Sequence, residues 1–397
     1  MMQQAPLVKR RFIDFLVNSG VIEINPGKMP EWAREQGLFM RFGRAIGTAK
    51  RMREFTETFY STMTMAVGEE PDLVFGPAYK GVPIATLMAL RLGNANRVFI
   101  SYNLPENSSV SVPEMVGAYT EDVKPFARVW VPPMLDSKSL DIWASRTARS
   151  AVEFYEPGKD KPSGYGFNTI IADGSAVPAA TALAYFMGTN ADPDFAVVRR
   201  GRQSRTRAKN TFLEMKELYE TGGMSAKDAS YNARVDAMER LVVGQVRDHA
   251  RYLWISPQIE ENRGIRQKEF SGLTDQTQEK GKTYRAMVVD DSILTGESMR
   301  QWAEFLRIRY PNAQVEDGFA AVHFQLIPPN SRDLKGRNLM DVRRELQNHL
   351  PNVRAAIDSD TVMEYMHTGG KISDEIWAKY QKAKKSYGTD WSIGVLR

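Results

Sequence analysis

A short apolar run that ends in two adjacent acids sets the tightest limit on how this chain folds. Residues 287–298 read Met-Val-Val-Asp-Asp-Ser-Ile-Leu-Thr-Gly-Glu-Ser. Continuous hydrophobicity without alternation suits a strand covered on both faces, so the run predicts a buried strand over 285–289. A loop over 290–298 and a helix over 299–308 follow. Strand, loop and helix in that order build a parallel α/β sheet, whose ligands lie outside the carboxyl ends of the strands. Asp290 and Asp291 stand at that end. In the turn behind them, Thr295, Gly296 and Ser298 precede a helix amino terminus, where backbone N–H groups and hydroxyls receive an anion. Paired carboxylates accept hydrogen bonds from neighbouring sugar hydroxyls. Anion cradle and diol acceptor together describe a seat for ribose 5-phosphate.

A second loop of the same kind lies far upstream. Residues 72–86 read DLVFGPAYKGVPIAT: a strand candidate over 72–75, a turn over 76–81 and a helix over 82–92. Gly76 and Gly81 let backbone amides converge on an anion, and Lys80 supplies the opposite charge. Further strands are expected over 97–102, 126–131, 169–172, 195–198 and 320–327. Helices are expected over 8–18, 44–66, 140–154 and 179–187, with a mostly helical, polar stretch over 211–270. The strand–turn–helix unit recurs, which suggests two tandem α/β domains of parallel sheets flanked by helices and a helical tail. Residues 1–157 would form the first domain. Residues 167–330 would form the second, interrupted by a helical insertion over 211–280, and 331–397 the tail. One domain split by a long insertion, with Lys80 joining Asp290 and Asp291 in a single site, is the open alternative.

VVDDSILTGES resembles the phosphoribosyl pyrophosphate (PRPP) motif of type I phosphoribosyltransferases, in the version carried by the amidophosphoribosyltransferases of purine synthesis. Glu297 falls inside the phosphate turn and must point outward there, and Ser298 stands where threonine is usual. FGPAYKG resembles the pyrophosphate loop of orotate phosphoribosyltransferases, and residues 8–103 follow those enzymes loosely. Residues 102–107 read YNLPEN where the orotate enzymes carry an Arg-Lys pair, so the acceptor need not be orotate. Residues 168–186 (NTIIADGSAVPAATALAYF), 195–207 and 321–329 resemble amidophosphoribosyltransferase segments. Val131-Pro132-Pro133 stands where a first domain would carry its own acids, which makes that PRPP motif degenerate.

The resemblance implies a type I phosphoribosyltransferase fold and a Mg²⁺-dependent transfer of ribose 5-phosphate from PRPP to a nitrogenous base, orotate-like or another nucleobase, in nucleotide, and specifically pyrimidine, biosynthesis. It implies substrate contacts from Asp290, Asp291, Thr295, Gly296, Ser298, Gly76, Ala78, Tyr79 and Gly81. It gives Lys80, Arg199, Arg200 and Arg202 catalytic roles against pyrophosphate. Asp290 and Asp291 would meet the metal indirectly, through substrate or water. A homodimer, or a pseudo-dimer within one chain, fits the two-part pattern.

Composition removes other chemistries. The 397 residues contain no cysteine, which excludes a disulfide scaffold, a thiolate zinc site, a cysteine nucleophile and a glutaminase of the amidotransferase kind. Four histidines, no two at i, i+4, make a histidine metal site a poor reading. No apolar run approaches the ~18 residues of a membrane span, and the amino terminus lacks the order of a secretory signal, so a cytoplasmic protein is expected. The net charge of +5 fits anionic ligands. Six cations between Arg199 and Lys209 form a basic loop that would close over pyrophosphate or, in a rival reading, bind nucleic acid. A protein that binds PRPP or a nucleotide without turnover, as a regulator, is the other rival.

Overall fold

The computed structural model describes residues 5–24, 26–29, 34, 37–67, 70–77, 80–93, 98–101, 127–131, 137–156, 166–172, 176–198, 202–246, 252–257, 283–309, 311–326, 337–387 and 394–395. The chain opens with helix α1 (Ala5–Asn18), strands β1 (Ile22–Glu23) and β2 (Phe39–Met40), and helix α2 (Ala49–Val67). Strand β3 (Leu73–Gly76), helix α3 (Gly81–Leu92) and strand β4 (Val98–Ser101) follow, then β5 (Ala127–Val131), α4 (Ser137–Glu153), β6 (Thr169–Ala172), α5 (Val177–Met187) and β7 (Asp194–Val198). Next come α6 (Arg202–Thr221), α7 (Ala226–Leu241), β8 (Val242–Gly244) and β9 (Tyr252–Pro257). The last part holds β10 (Tyr284–Ile293), α8 (Glu297–Arg309), β11 (Ala313–His323), α9 (Leu339–His349), β12 (Asn352–Asp358), α10 (Ser359–Thr368), α11 (Asp374–Tyr387) and β13 (Gly394–Val395).

Among the described residues the long strands form two sheets flanked by helices, an α/β architecture. The first sheet has the order β13-β12-β11-β10-β3-β4 and is parallel at each pairing. The second has the order β5-β9-β6-β7-β8, parallel except for the last pair. This connectivity replaces the expected boundaries at 157, 167 and 330. The first sheet takes strands from both ends of the chain, and the second occupies the middle. Strand β5, which precedes Pro132 and Pro133, lies in the second sheet, away from β3; the two prolines are outside the described residues.

Four local expectations are corrected as well. Strand β10 does not stop at Val289 but continues to Ile293, paired with β11 through Ile293↔His323. Among the described residues of the stretch over 211–270, the helices end at Leu241, and Tyr252–Pro257 is an inner strand of the second sheet, held by β5 and β6. The tail is not all helix, since β12 and β13 extend the first sheet. The basic segment is helical, not a loop, from Arg202 onward. Helix α6 starts at Arg202, because the residues that follow contain neither glycine nor proline to break it.

Two buried helices join the halves. Helices α3 and α5 are apolar around nearly their whole circumference, the pattern of helices enclosed on all sides. They pack on each other between the two sheets. The amino-terminal helices close the first sheet through phenylalanines: Phe55 stacks on Phe59 at 5.0 Å, and Phe59 meets Phe319 of β11 at 5.2 Å. Such ring pairs add about 0.5–1.5 kcal/mol each beyond area burial. No described helix is long and apolar enough to cross a membrane.

Candidate active site

Adjacent strands β3 and β10 run parallel, so their carboxyl ends and the turns that follow open on the same side. The β3–α3 turn is tight. A Cβ on Gly76 would lie 1.8 Å from the carbonyl oxygen of Gly81, and one on Gly81 would lie 2.5 Å from Pro77 Cδ. Only glycines permit that approach, and it delivers Lys80 to the N-cap position just before α3. The β10–α8 turn is equally constrained. Gly296 has φ +82, and a Cβ there would lie 2.2 Å from Leu346 Cδ2.

These two turns share a cleft of about 470 Å³. Lys80, Asp290, Asp291, Thr295, Gly296 and Ser298 all line it. Lys80 Nζ donates to Asp291 Oδ2 at 2.6 Å, across a sequence separation of 211 residues. The carboxylate of Asp291 is thus tied into an ion pair, but with the cation of the other phosphate-type loop and inside the cleft. Asp290 Oδ1 accepts from the N–H of Asp291 at 2.8 Å. Burial, and then the charge of Asp291, push the Asp290 carboxyl well above the usual range.

Asp290 binds protons more tightly folded than unfolded, so its stabilising share is complete at acid pH and is lost as pH rises through the raised native pKa. Asp290→Asn removes the cost of holding the ionised carboxylate. We expect its melting temperature to exceed that of the wild type by a few degrees near pH 8, at about 2–4 °C per kcal/mol, and to match it near pH 4. An equal difference at both pH values in thermal melts would assign the effect to packing instead.

Thr295 is buried, and its Oγ1 accepts from the Glu297 N–H at 3.2 Å, closing the start of α8. Ser298 is exposed at the cleft. Glu297 does not simply point outward, as the sequence suggested, because it too lines the cleft. Its charge is offset there: Arg300 donates to both carboxylate oxygens, at 3.0 and 2.8 Å, and Gln301 adds a third bond at 2.7 Å. Those bonds, with Arg300 foremost, hold the Glu297 carboxyl below its ordinary pKa.

Other expected site residues are not brought into this picture. Ala78, Tyr79, Arg199 and Arg200 lie outside the described residues, and Arg202 is placed only as the first residue of α6, after a strand of the second sheet. Sequence reasoning also missed part of the lining. Phe39 and Met40 of β2, with Leu294 and Phe324, form its apolar portion. Strand β2 is held antiparallel to β1, and the Arg41 guanidinium lies 6.0 Å over the Phe39 ring while pairing with Glu23 at 3.3 Å. The segment QGLFMRFGRAI was the available signal, but nothing in it marked which residues face a ligand. Among the described residues no group of three or more His, Cys, Asp or Glu side chains is placed to hold a metal ion. Asp290 and Asp291 are hard oxygen donors facing the cleft.

Comparison with known proteins gives a partial likeness. An orotate phosphoribosyltransferase from Alteromonas mediterranea is 34% identical over 99 residues, which is 24% of this chain and 43% of that protein. One from Chromohalobacter salexigens is 34% identical over 91 residues, covering 22% of this chain and 36% of its own length. The chain therefore matches less than half the length of these curated relatives. No family model matches the chain. Among solved structures, an orotate phosphoribosyltransferase from Francisella tularensis aligns over 95% of this chain and 99% of that one, with 11% identity and a TM-score of 0.37. A likeness that low carries no argument about function. The resemblance of 167–330 to amidophosphoribosyltransferases stands on its sequence motifs alone.

Proposed function

We propose that this protein is a phosphoribosyltransferase that moves ribose 5-phosphate from PRPP to a nitrogenous base and releases pyrophosphate. The observation that carries this reading is the meeting of Lys80 and Asp291 in one cleft, which joins two phosphate-type loops from adjacent parallel strands into a single site. The partial similarity to orotate phosphoribosyltransferases supports it.

In this reading Thr295, Gly296 and Ser298 receive the 5-phosphate at the start of α8. Asp290 and Asp291 accept from the ribose hydroxyls. Lys80 exchanges its bond to Asp291 for the leaving pyrophosphate and offsets the charge that gathers there. The cleft's apolar portion takes the base and keeps water from the oxocarbenium-like sugar. Asp290 and Asp291 fit a Mg²⁺ ion that arrives on the substrate, since such an ion keeps most of its waters and takes one or two carboxylates. The ion would neutralise charge on the pyrophosphate.

The test is incubation with PRPP, Mg²⁺ and each of a panel of nucleobases, with pyrophosphate release as the readout. Release that depends on one base is expected. PRPP binding without release from any base would favour a binding protein, and no PRPP binding would overturn the proposal.

A further inference from the structure

Behind the phosphate turn, contributing no residue to the cleft lining, stands a helix that the sequence marked only as part of the helical tail. Helix α9 reaches the turn, and the helix that follows it, through three residues. Leu346 fills the space that a Cβ on Gly296 would need. Glu345 pairs with Arg337 and approaches Arg300 at 3.7 Å, and Arg300 is the residue that neutralises Glu297. Arg343 is fully buried, and its Nη2 donates to the carbonyl oxygens of Phe324 at 3.0 Å and Leu294 at 3.4 Å. Leu294 opens the phosphate turn and Phe324 follows β11, so one guanidinium ties two successive cleft-lining segments together.

We infer that Arg343 is a positioning residue for the 5-phosphate subsite, fixing the turn over 294–298 through the Leu294 carbonyl and placing a buried positive charge behind it. A planar guanidinium suits this task because it holds several acceptors in one fixed geometry. Its charge acts through a poorly polarisable interior, where electrostatic influence extends further than in water. Burial lowers the Arg343 pKa only to about 10, so the group stays charged at neutral pH. The neighbouring His323 registers that charge, since its pKa falls to about 3 through burial and then through Arg343.

The inference rests on the proposed PRPP site, and a matched control separates the two. Arg307 of α8 links β11 to the end of α9, donating to the carbonyl oxygens of Val315, at 2.6 Å, and His349. It does not line the cleft. Calorimetric titration of the full-length protein with PRPP and Mg²⁺ should show affinity about tenfold or more weaker in Arg343→Met, because bonds to a charged donor are lost. Arg343→Lys keeps the charge without the fork and should fall between. Arg307→Met should bind PRPP as the wild type does, even where its melting temperature drops. Equal PRPP affinity in wild type and Arg343→Met, or in wild type and Arg343→Lys should Arg343→Met not fold, would overturn the positioning role while leaving the proposed function intact. Equal weakening in Arg307→Met would overturn it too, by assigning the effect to general loosening. Absence of PRPP binding by the wild type would remove both readings.

Discussion

Replacing Asp290 and Asp291 together by asparagine is expected to weaken PRPP binding by about a hundredfold or more, measured by titration calorimetry in the presence of Mg²⁺. Two effects compete. A hydrogen bond to a charged acceptor contributes about 1.5–3 kcal/mol, so losing two in the double variant costs about 3–6 kcal/mol, or a hundredfold and upward. Against this, PRPP is itself an anion, and removing carboxylate charge relieves repulsion. In Asp291→Asn the relief is larger, because Lys80 is released from its 2.6 Å bond and becomes available to pyrophosphate. The single Asp291 variant should therefore lose less than the double variant. Asp290 has no such compensation. An unchanged PRPP affinity in Asp290→Asn/Asp291→Asn would end the diol-acceptor reading, and with it the proposed site.

The two loops of this cleft were legible in the sequence, but their meeting is undecided there, with one site joining Lys80 to Asp290 and Asp291 standing as the alternative to a tandem pair. Apolar runs ending in Gly-Pro or Asp-Asp announce a strand and a following helix through local forces alone, and both units have that order, although β10 runs past Val289 to Ile293 before its turn. Which strand lies beside which depends on pairings between distant residues. Strand β3 joins β10 across some 200 residues, and no local pattern records that partnership. The two look-alike units, β3–α3 and β6–α5, invited a tandem division. Instead, each unit occupies a different sheet, and their helices meet in the middle. Strand β9 was hidden because YLWISP is short, ends in proline and follows a long polar helical stretch. Strand β12 was hidden because NVRAAID lies between helices and carries two charges. The contribution of Arg343 had no sequence signal at all. An arginine inside an amphipathic helix reads as solvated until the fold buries it.

Gly76→Ala should nearly abolish turnover, although residue 76 offers no side chain to any substrate. The added methyl would stand 1.8 Å from the Gly81 carbonyl oxygen, and that neighbour is backbone, so it cannot turn aside. The β3–α3 turn must open instead, and Lys80 moves with it. A displacement of about 1 Å at a charge-compensating group costs on the order of a hundredfold in rate. Overpacking at a rigid position adds about 1–3 kcal/mol of destabilisation. Lys80→Met separates these effects, because it removes the cation while keeping the turn. We expect both variants to lose about 10²–10³ in kcat, as removal of one electrostatic stabiliser does elsewhere. Both variants should lower the melting temperature, Lys80→Met because it leaves the buried Asp291 carboxylate without its cation. If Lys80→Met turns over at the wild-type rate, the cation is not compensating the leaving group, and its pairing with Asp291 serves the fold. If Gly76→Ala alone is active, the close approach of Gly76 to Gly81 is not what places Lys80.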